Sequence, residues 1–179
     1  MTTLRSNARC PRPQRPSRLR IEYSPHCRAI STSVFSPKLG VTRFPRNRIL
    51  YEAGDATRYA YPNSGVASLL AITEDGRTIE FGSVGNEGYI GVPIVYEVGI
   101  AHYRVIVQMP VEAVRIEPHL LLAEVHRGGK LRELLSRYAH VLEIQMVQSL
   151  ICHLCHAVSP RLCRYLLVTA DRLHSEDFG

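Results

Sequence analysis

The sequence has no apolar run near the roughly 20 residues that cross a bilayer, no apolar stretch near its start, and no dense, even set of cysteines. The first lack excludes a helical membrane protein. The second excludes a secretory signal, since the first thirty residues are also broken by Pro11, Pro13, Pro16 and Pro25. The third sets aside a disulfide scaffold: Cys10, Cys27, Cys152, Cys155 and Cys163 are odd in number and scattered, so a reducing, cytoplasmic setting is expected. Histidine is scarce where a jelly-roll metalloenzyme would need two or three beside a carboxylate; His102 is the only one between Ile49 and Pro118. No Ser-His-Asp or Cys-His constellation is visible either. The expectation is therefore no catalysis, no metal and no cofactor.

What the chain does have is unevenly placed. Its 179 residues suit one domain with a real core and a short appendage. The net charge is +6, yet Met1 to Arg48 alone holds ten Arg and one Lys against Glu22, a local +10. The other 131 residues carry eleven basic and fifteen acidic side chains, a mildly acidic −4. The basic balance belongs to the N-terminal segment, which removes overall charge as an argument for nucleic-acid binding. Residues 1–45 also hold six of the eleven prolines and no hydrophobic period, and a disordered basic extension is expected there.

From about residue 46 the texture turns to short β-prone runs cut by glycine. Val66 to Thr73 and Thr78 to Val84 flank Glu74-Asp75-Gly76-Arg77, a strong hairpin signal because Asp-Gly readily takes the positive φ of a tight turn. Tyr103 to Met109 and Glu112 to Ile116 read as two more strands around Pro110. Such a run of strands over 46–129 argues for a small barrel or jelly roll. His119 to Val125 reads as a short helix stopped by Gly128-Gly129. A long helix follows over 130–158 and carries two stripes. One is Leu131, Leu135, Tyr138, Leu142, Gln145, Ser149 and Cys152; the other is Val141, Ile144, Val147, Ile151, Leu154 and Val158. One stripe is expected to pack on the barrel and one to meet a partner helix, and the stripe from Leu131 to Cys152 is assigned to the dimer interface. Ser159-Pro160 then breaks the helix and starts another over 159–179, with an apolar face at Leu162, Tyr165, Leu166, Thr169 and Leu173.

In this order, Leu50-Tyr51-Glu52-Ala53-Gly54-Asp55, Tyr61-Pro62-Asn63-Ser64-Gly65-Val66, Glu74 to Thr78, Val84-Gly85-Asn86-Glu87-Gly88-Tyr89-Ile90-Gly91, and Arg161-Leu162-Cys163-Arg164-Tyr165-Leu166-Leu167 resemble the Crp/Fnr superfamily of transcription regulators. The resemblance covers roughly residues 48–174. It implies a fold of β-strands with helices: a cyclic-nucleotide-binding-type double-stranded β-helix, a long dimerisation helix, and the first helix of a winged helix-turn-helix domain that the sequence does not complete. It also implies a homodimer and a small-molecule effector. Candidate effector-binding residues are Gly85, Glu87, Gly88 and Arg104. Cyclic AMP is not the expected effector: the resemblance places Ala101 where nucleotide-binding members carry the arginine that pairs with the cyclic phosphate, and a buried phosphate without a cation is poorly compensated.

The function expected is thus the sensory and dimerisation part of a Crp/Fnr-like regulator without specific DNA binding of its own, because DNA contact would need the C-terminal domain that is missing here. The alternatives are a DNA-free dimerisation module, a redox-responsive one using the thiols of the long helix, and a haem protein. Cys152-His153-Leu154-Cys155-His156 satisfies the c-type haem attachment pattern, but inside a predicted helix and with no export signal, so covalent haem is not expected.

Overall fold

Two long strands dominate the β-structure, and each contains a proline. The computed structural model describes residues 40–57 and 59–173; the basic extension expected over 1–45 lies outside them up to residue 39. Along the described chain run β1 (Gly40–Phe44), β2 (Ile49–Tyr51), β3 (Tyr59–Ile72), β4 (Thr78–Val84), a short helix α1 (Val92–Val95), β5 (Arg104–Ile116), α2 (Pro118–Arg127), α3 (Lys130–Cys155) and α4 (Val158–Leu173). The sheet is antiparallel in the order β1-β5-β3-β4, with β2 also on β5. No helix among the described residues is long and apolar enough to cross a membrane.

Two strand boundaries differ from expectation. Gly40–Phe44 pairs with β5 from Gly40↔Arg115 to Phe44↔Val111, although it falls in the segment expected to be disordered. Its alternation is too short to read from sequence, and the ladder of β5 supplies the pairing. The two strands expected around Pro110 are one, β5. Proline lacks the N–H that a ladder needs and is tolerated only at an edge or irregularity. Here the β3–β5 register shifts between Pro62 and Ser64, again between Ser64 and Val66, and again between Val66 and Ala67. Gly65, at φ +82°, lies so close to the Pro110 carbonyl that a Cβ would overlap it. The ladder is disrupted locally by these shifts, and both strands run on through their prolines. The hairpin turn follows expectation: Thr73 N–H donates to the Arg77 carbonyl at 2.9 Å, and the Arg77 guanidinium reaches Asp75 at 2.7 Å.

The core gathers alternate residues of β5 (Val105, Val107, Val111, Ala113) with Leu69 of β3, Val84 of β4, Tyr51 of β2, and Tyr89, Ile90 and Ile94 around α1. α2 and α3 close it with Leu121, Val125, Leu131, Leu135, Tyr138 and Leu142. α3 starts after Gly128 and Gly129, both at positive φ, and ends at His156, whose N–H returns to the Cys152 carbonyl at 3.2 Å. The break at His156 and Ala157 precedes a helix that begins at Val158, so Ser159 and Pro160 fall inside its first turn.

Replacing Gly65 by alanine is expected to destabilise the fold by about 2 kcal/mol or more, since left-handed strain and the clash with Pro110 add. Urea denaturation checks this; a midpoint equal to that of the parent chain would show that the bulge tolerates a Cβ.

Candidate functional site

Three glycines at the end of β4 and the loop after it receive side chains from the two last helices. At Gly82 a Cβ would stand at ordinary contact distance, 3.5 Å from Leu69 and 3.6 Å from Leu142, so α3 packs against the sheet here with room for no more than a methyl group. At Gly88 it would overlap the Tyr138 ring, and at Gly85 it would stand 2.5 Å from Glu87 and 2.9 Å from Arg172. Gly85 and Gly88 do not have the positive φ found at Gly54, Gly65, Gly76 and Gly91. At Gly88 the close approach of the buried Tyr138 ring, not backbone conformation, requires glycine, whereas at Gly85 the neighbours are flexible side chains.

The electrostatic centre is Arg172, near the end of α4. Its Nε donates to Glu87 Oε1 at 2.7 Å and an Nη donates to the Ser83 hydroxyl. The Gln145 amide, oriented to suit its neighbours, accepts from Arg172 at 2.7 Å and donates to the Ser83 carbonyl at 3.2 Å. Glu87 Oε1 also accepts from the Gly85 N–H at 3.1 Å, while its Oε2 is buried with no hydrogen-bond partner. The Arg172 side chain is 10% exposed and that of Glu87 35%. This pair joins the roll, α3 and α4 at one point. Beside it, Tyr138 packs on Tyr89 with ring centroids 4.9 Å apart and planes tilted by 47°, and the Tyr89 hydroxyl donates to the Leu135 carbonyl at 3.0 Å. Burial first, and the neighbouring Glu87 charge second, push the Tyr138 phenol far up, so it stays neutral.

Of the four candidate effector residues, the structure brings Gly85 and Glu87 together and places Gly88 next to them under Tyr138. Arg104 is not with them: it opens β5 and pairs with Glu52 at 2.7 Å. The cation that faces Glu87 is Arg172, 85 residues downstream, and no motif marked it. Ala101 is fully buried, its N–H bonded to the Asp55 carbonyl at 3.0 Å. His102 is exposed. Among the described residues no three His, Cys, Asp or Glu side chains cluster so as to hold a metal.

The stripe assigned to the dimer interface is a correction. Leu131, Leu135, Tyr138, Leu142, Ser149 and Cys152 are buried within the subunit, and Gln145 is half-buried against Ser83 and Arg172. The roll and α4 cover that face, and Gly88 makes room there for Tyr138. The other stripe is open to solvent, with Ile144 51%, Val147 57%, Ile151 42% and Leu154 77% exposed. The thiols divide in the same way: Cys152 is buried 3.4 Å from His156 Nδ1, whereas Cys155 and Cys163 are exposed.

Comparison with solved structures bears on the fold. The c-di-GMP responsive global regulator CLP of Xanthomonas campestris superposes with a TM-score of 0.59 at 18% identity, over 84% of this chain and 76% of that one. The fold is that of the CRP-type transcriptional regulators. A CRP-family transcriptional regulator from Thermus thermophilus matches with a TM-score of 0.54 at 24% identity, over 74% of this chain and 65% of its own. The catabolite activator protein of Thermus thermophilus matches at 0.52 and 14%, over 73% and 58%. The chain thus spans less than two thirds of the two Thermus proteins. No protein-family model matches the chain, and no curated protein does. The Crp/Fnr resemblance is accordingly carried by the fold.

Two outcomes follow from the geometry. Arg172→Ala and Glu87→Ala should each destabilise the protein by about 1–2 kcal/mol, below the 3–5 of a fully buried pair because Glu87 is partly solvated, and should be clearly non-additive when combined. Additive losses in a double-mutant cycle would show that the contact is energetically silent. The second concerns Glu80 on β4, whose carboxyl is raised above 4.5 mainly by burial, against the lowering effects of the Ser68 hydroxyl and nearby cations. The unfolded chain ionises first, so this group's contribution is intact below about 4.5 and falls as pH rises through the raised value. Glu80→Gln should flatten that segment of a stability–pH curve, and an unchanged slope would exclude Glu80 as its source.

Proposed function

We propose that this chain is the sensory and dimerising part of a Crp/Fnr-like transcriptional regulator, working as a homodimer in a reducing, cytoplasmic setting. The observation that carries the reading is the exposed stripe of α3. Ile144, Val147, Ile151, Leu154 and, across the break, Val158 are spaced 3, 4, 3 and 4 residues apart, the repeat that keeps an apolar seam facing a partner helix. Residues of this size each contribute about 1.5–3 kcal/mol when buried, so a row of them in water favours association with a matching surface. A second copy supplies one, because a two-fold axis lays a seam on itself. The α3 helix, 26 residues and about 39 Å long, is the element through which a change in the roll would reach α4, via Gln145 and Arg172.

DNA recognition is not assigned to the described residues. After α3 they supply one helix, α4, and a helix-turn-helix needs two. The superposed proteins are transcriptional regulators by their descriptions, which supports the reading at the level of fold. Cyclic AMP is not the effector in this proposal: the Glu87 corner meets its cation from α4, and Arg104 pairs elsewhere.

Multi-angle light scattering tests the dimer. The chain should run at twice 20.2 kDa, and Val147→Asp with Ile151→Asp should make it monomeric while leaving the helix signal in circular dichroism intact. A parent chain that is monomeric at tens of micromolar, or a variant that stays dimeric, would remove the seam from the proposal. In gel shifts the protein should show no preference among DNA sequences; any binding through the basic N-terminal segment should vanish with rising salt.

A further inference from the structure

A second feature of the α4 docking is a cleft of about 320 Å³ between β4, the C-terminal half of α3 and α4, at the lower end of the roughly 300–1,000 Å³ typical of small-molecule pockets. Two of its lining residues, Ser83 and Gln145, are those that hold Arg172. The cleft therefore exists only while α4 is seated on the roll.

Its walls have a definite chemistry. Leu162 and Val168 of α4 give it an apolar side. Arg161 and Arg164, three residues apart and so neighbours on one helix face, bring two guanidinium groups to it, and His153 adds an imidazole. Arg164 is steadied by a bond to the Ser149 hydroxyl at 3.2 Å. Neither arginine has an acidic partner within ion-pair distance among the described residues. The one acid in the lining, Glu80, is on β4, hydrogen-bonded to Ser68, and the surrounding cations outnumber it. Two free guanidinium groups over an apolar wall match a carboxylate, sulfonate or phosphate carried on a hydrophobic body, since guanidinium binds such groups in a planar, two-pronged fashion.

We propose that this cleft binds a small organic anion, its acidic group held by Arg161 and Arg164 and its apolar body against Leu162 and Val168. The role of the site rests on the sensory reading above. A ligand that binds only the seated form of α4 stabilises that form in proportion to its concentration over its Kd, so occupancy would set how firmly the last helix is held to the roll. Binding itself does not depend on dimerisation.

The probe is 8-anilinonaphthalene-1-sulfonate, an apolar body with one sulfonate, set beside the uncharged N-phenyl-1-naphthylamine. Fluorescence titration of the full chain should give one sulfonate site per chain. Arg161→Gln with Arg164→Gln, which keeps the polar character of both positions, should weaken the sulfonate about tenfold and leave the neutral probe unchanged. Val168→Trp, which fills the cleft and keeps both arginines, should abolish both signals, with circular dichroism confirming the fold. Undiminished sulfonate affinity in the double arginine variant overturns the proposal. So does equal loss of both probes in that variant, or loss of the signal in Val147→Asp with Ile151→Asp, which would place the dye on the open seam. Light scattering on the same samples separates the two readings: a monomer that still binds the sulfonate sinks the dimer and spares the cleft, and a dimer that does not bind it does the reverse.

Discussion

The seating of α3 on the end of β4 is the contact on which the other features depend. Leu142 meets the sheet where Gly82 offers no Cβ, and Tyr138 fills the space that a side chain at Gly88 would occupy. A side chain at Gly88 would collide with the Tyr138 ring and push the 26-residue helix away from the sheet. Once α3 is seated, its face from Leu131 to Cys152 is buried, its opposite face is turned to solvent, and Gln145 stands where α4 can reach it. Close packing makes this arrangement discrete, because a protein interior has little spare volume in which a helix could slide.

Arg172 converts that packing into a link between distant parts of the chain. Its partners Glu87, Ser83 and Gln145 belong to the loop after β4, to β4 and to α3. A guanidinium with only a tenth of its side chain in water is stable there because each of its three nitrogens donates to an acceptor. Glu87, which sequence resemblance marks as an effector contact, is occupied by this intramolecular cation. Arg161 and Arg164, which have no acidic partner among the described residues, stand instead beside the cleft.

Much of the fold was legible in the sequence because it is set by local signals. The Glu74 to Arg77 turn, the strand from Thr78 to Val84, the helix stopped by Gly128-Gly129 and the long helix from Lys130 lie where pattern and turn chemistry put them. The β1 strand and the union of two strands through Pro110 were not legible, because both depend on a partner: β1 on the ladder of β5, and Pro110 on the bulge at Gly65. Periodicity showed that α3 has two apolar stripes, but amphipathic spacing cannot say which neighbour each stripe meets.

The sequence by itself determined the element types, the roll with its helical end, the concentration of basic charge before residue 48, and the presence of a coiled-coil-like repeat from Ile144 to Val158. Only the tertiary structure decided which stripe of α3 is buried, that Arg104 is paired with Glu52 and Arg172 with Glu87, and that α4 lies back against the roll to form a basic cleft. The physical reason is range. Turns, caps and periods act over a few residues, whereas these two ion pairs join residues 52 and 85 positions apart, and nothing in the local chain encodes which of 22 basic side chains a given carboxylate will meet.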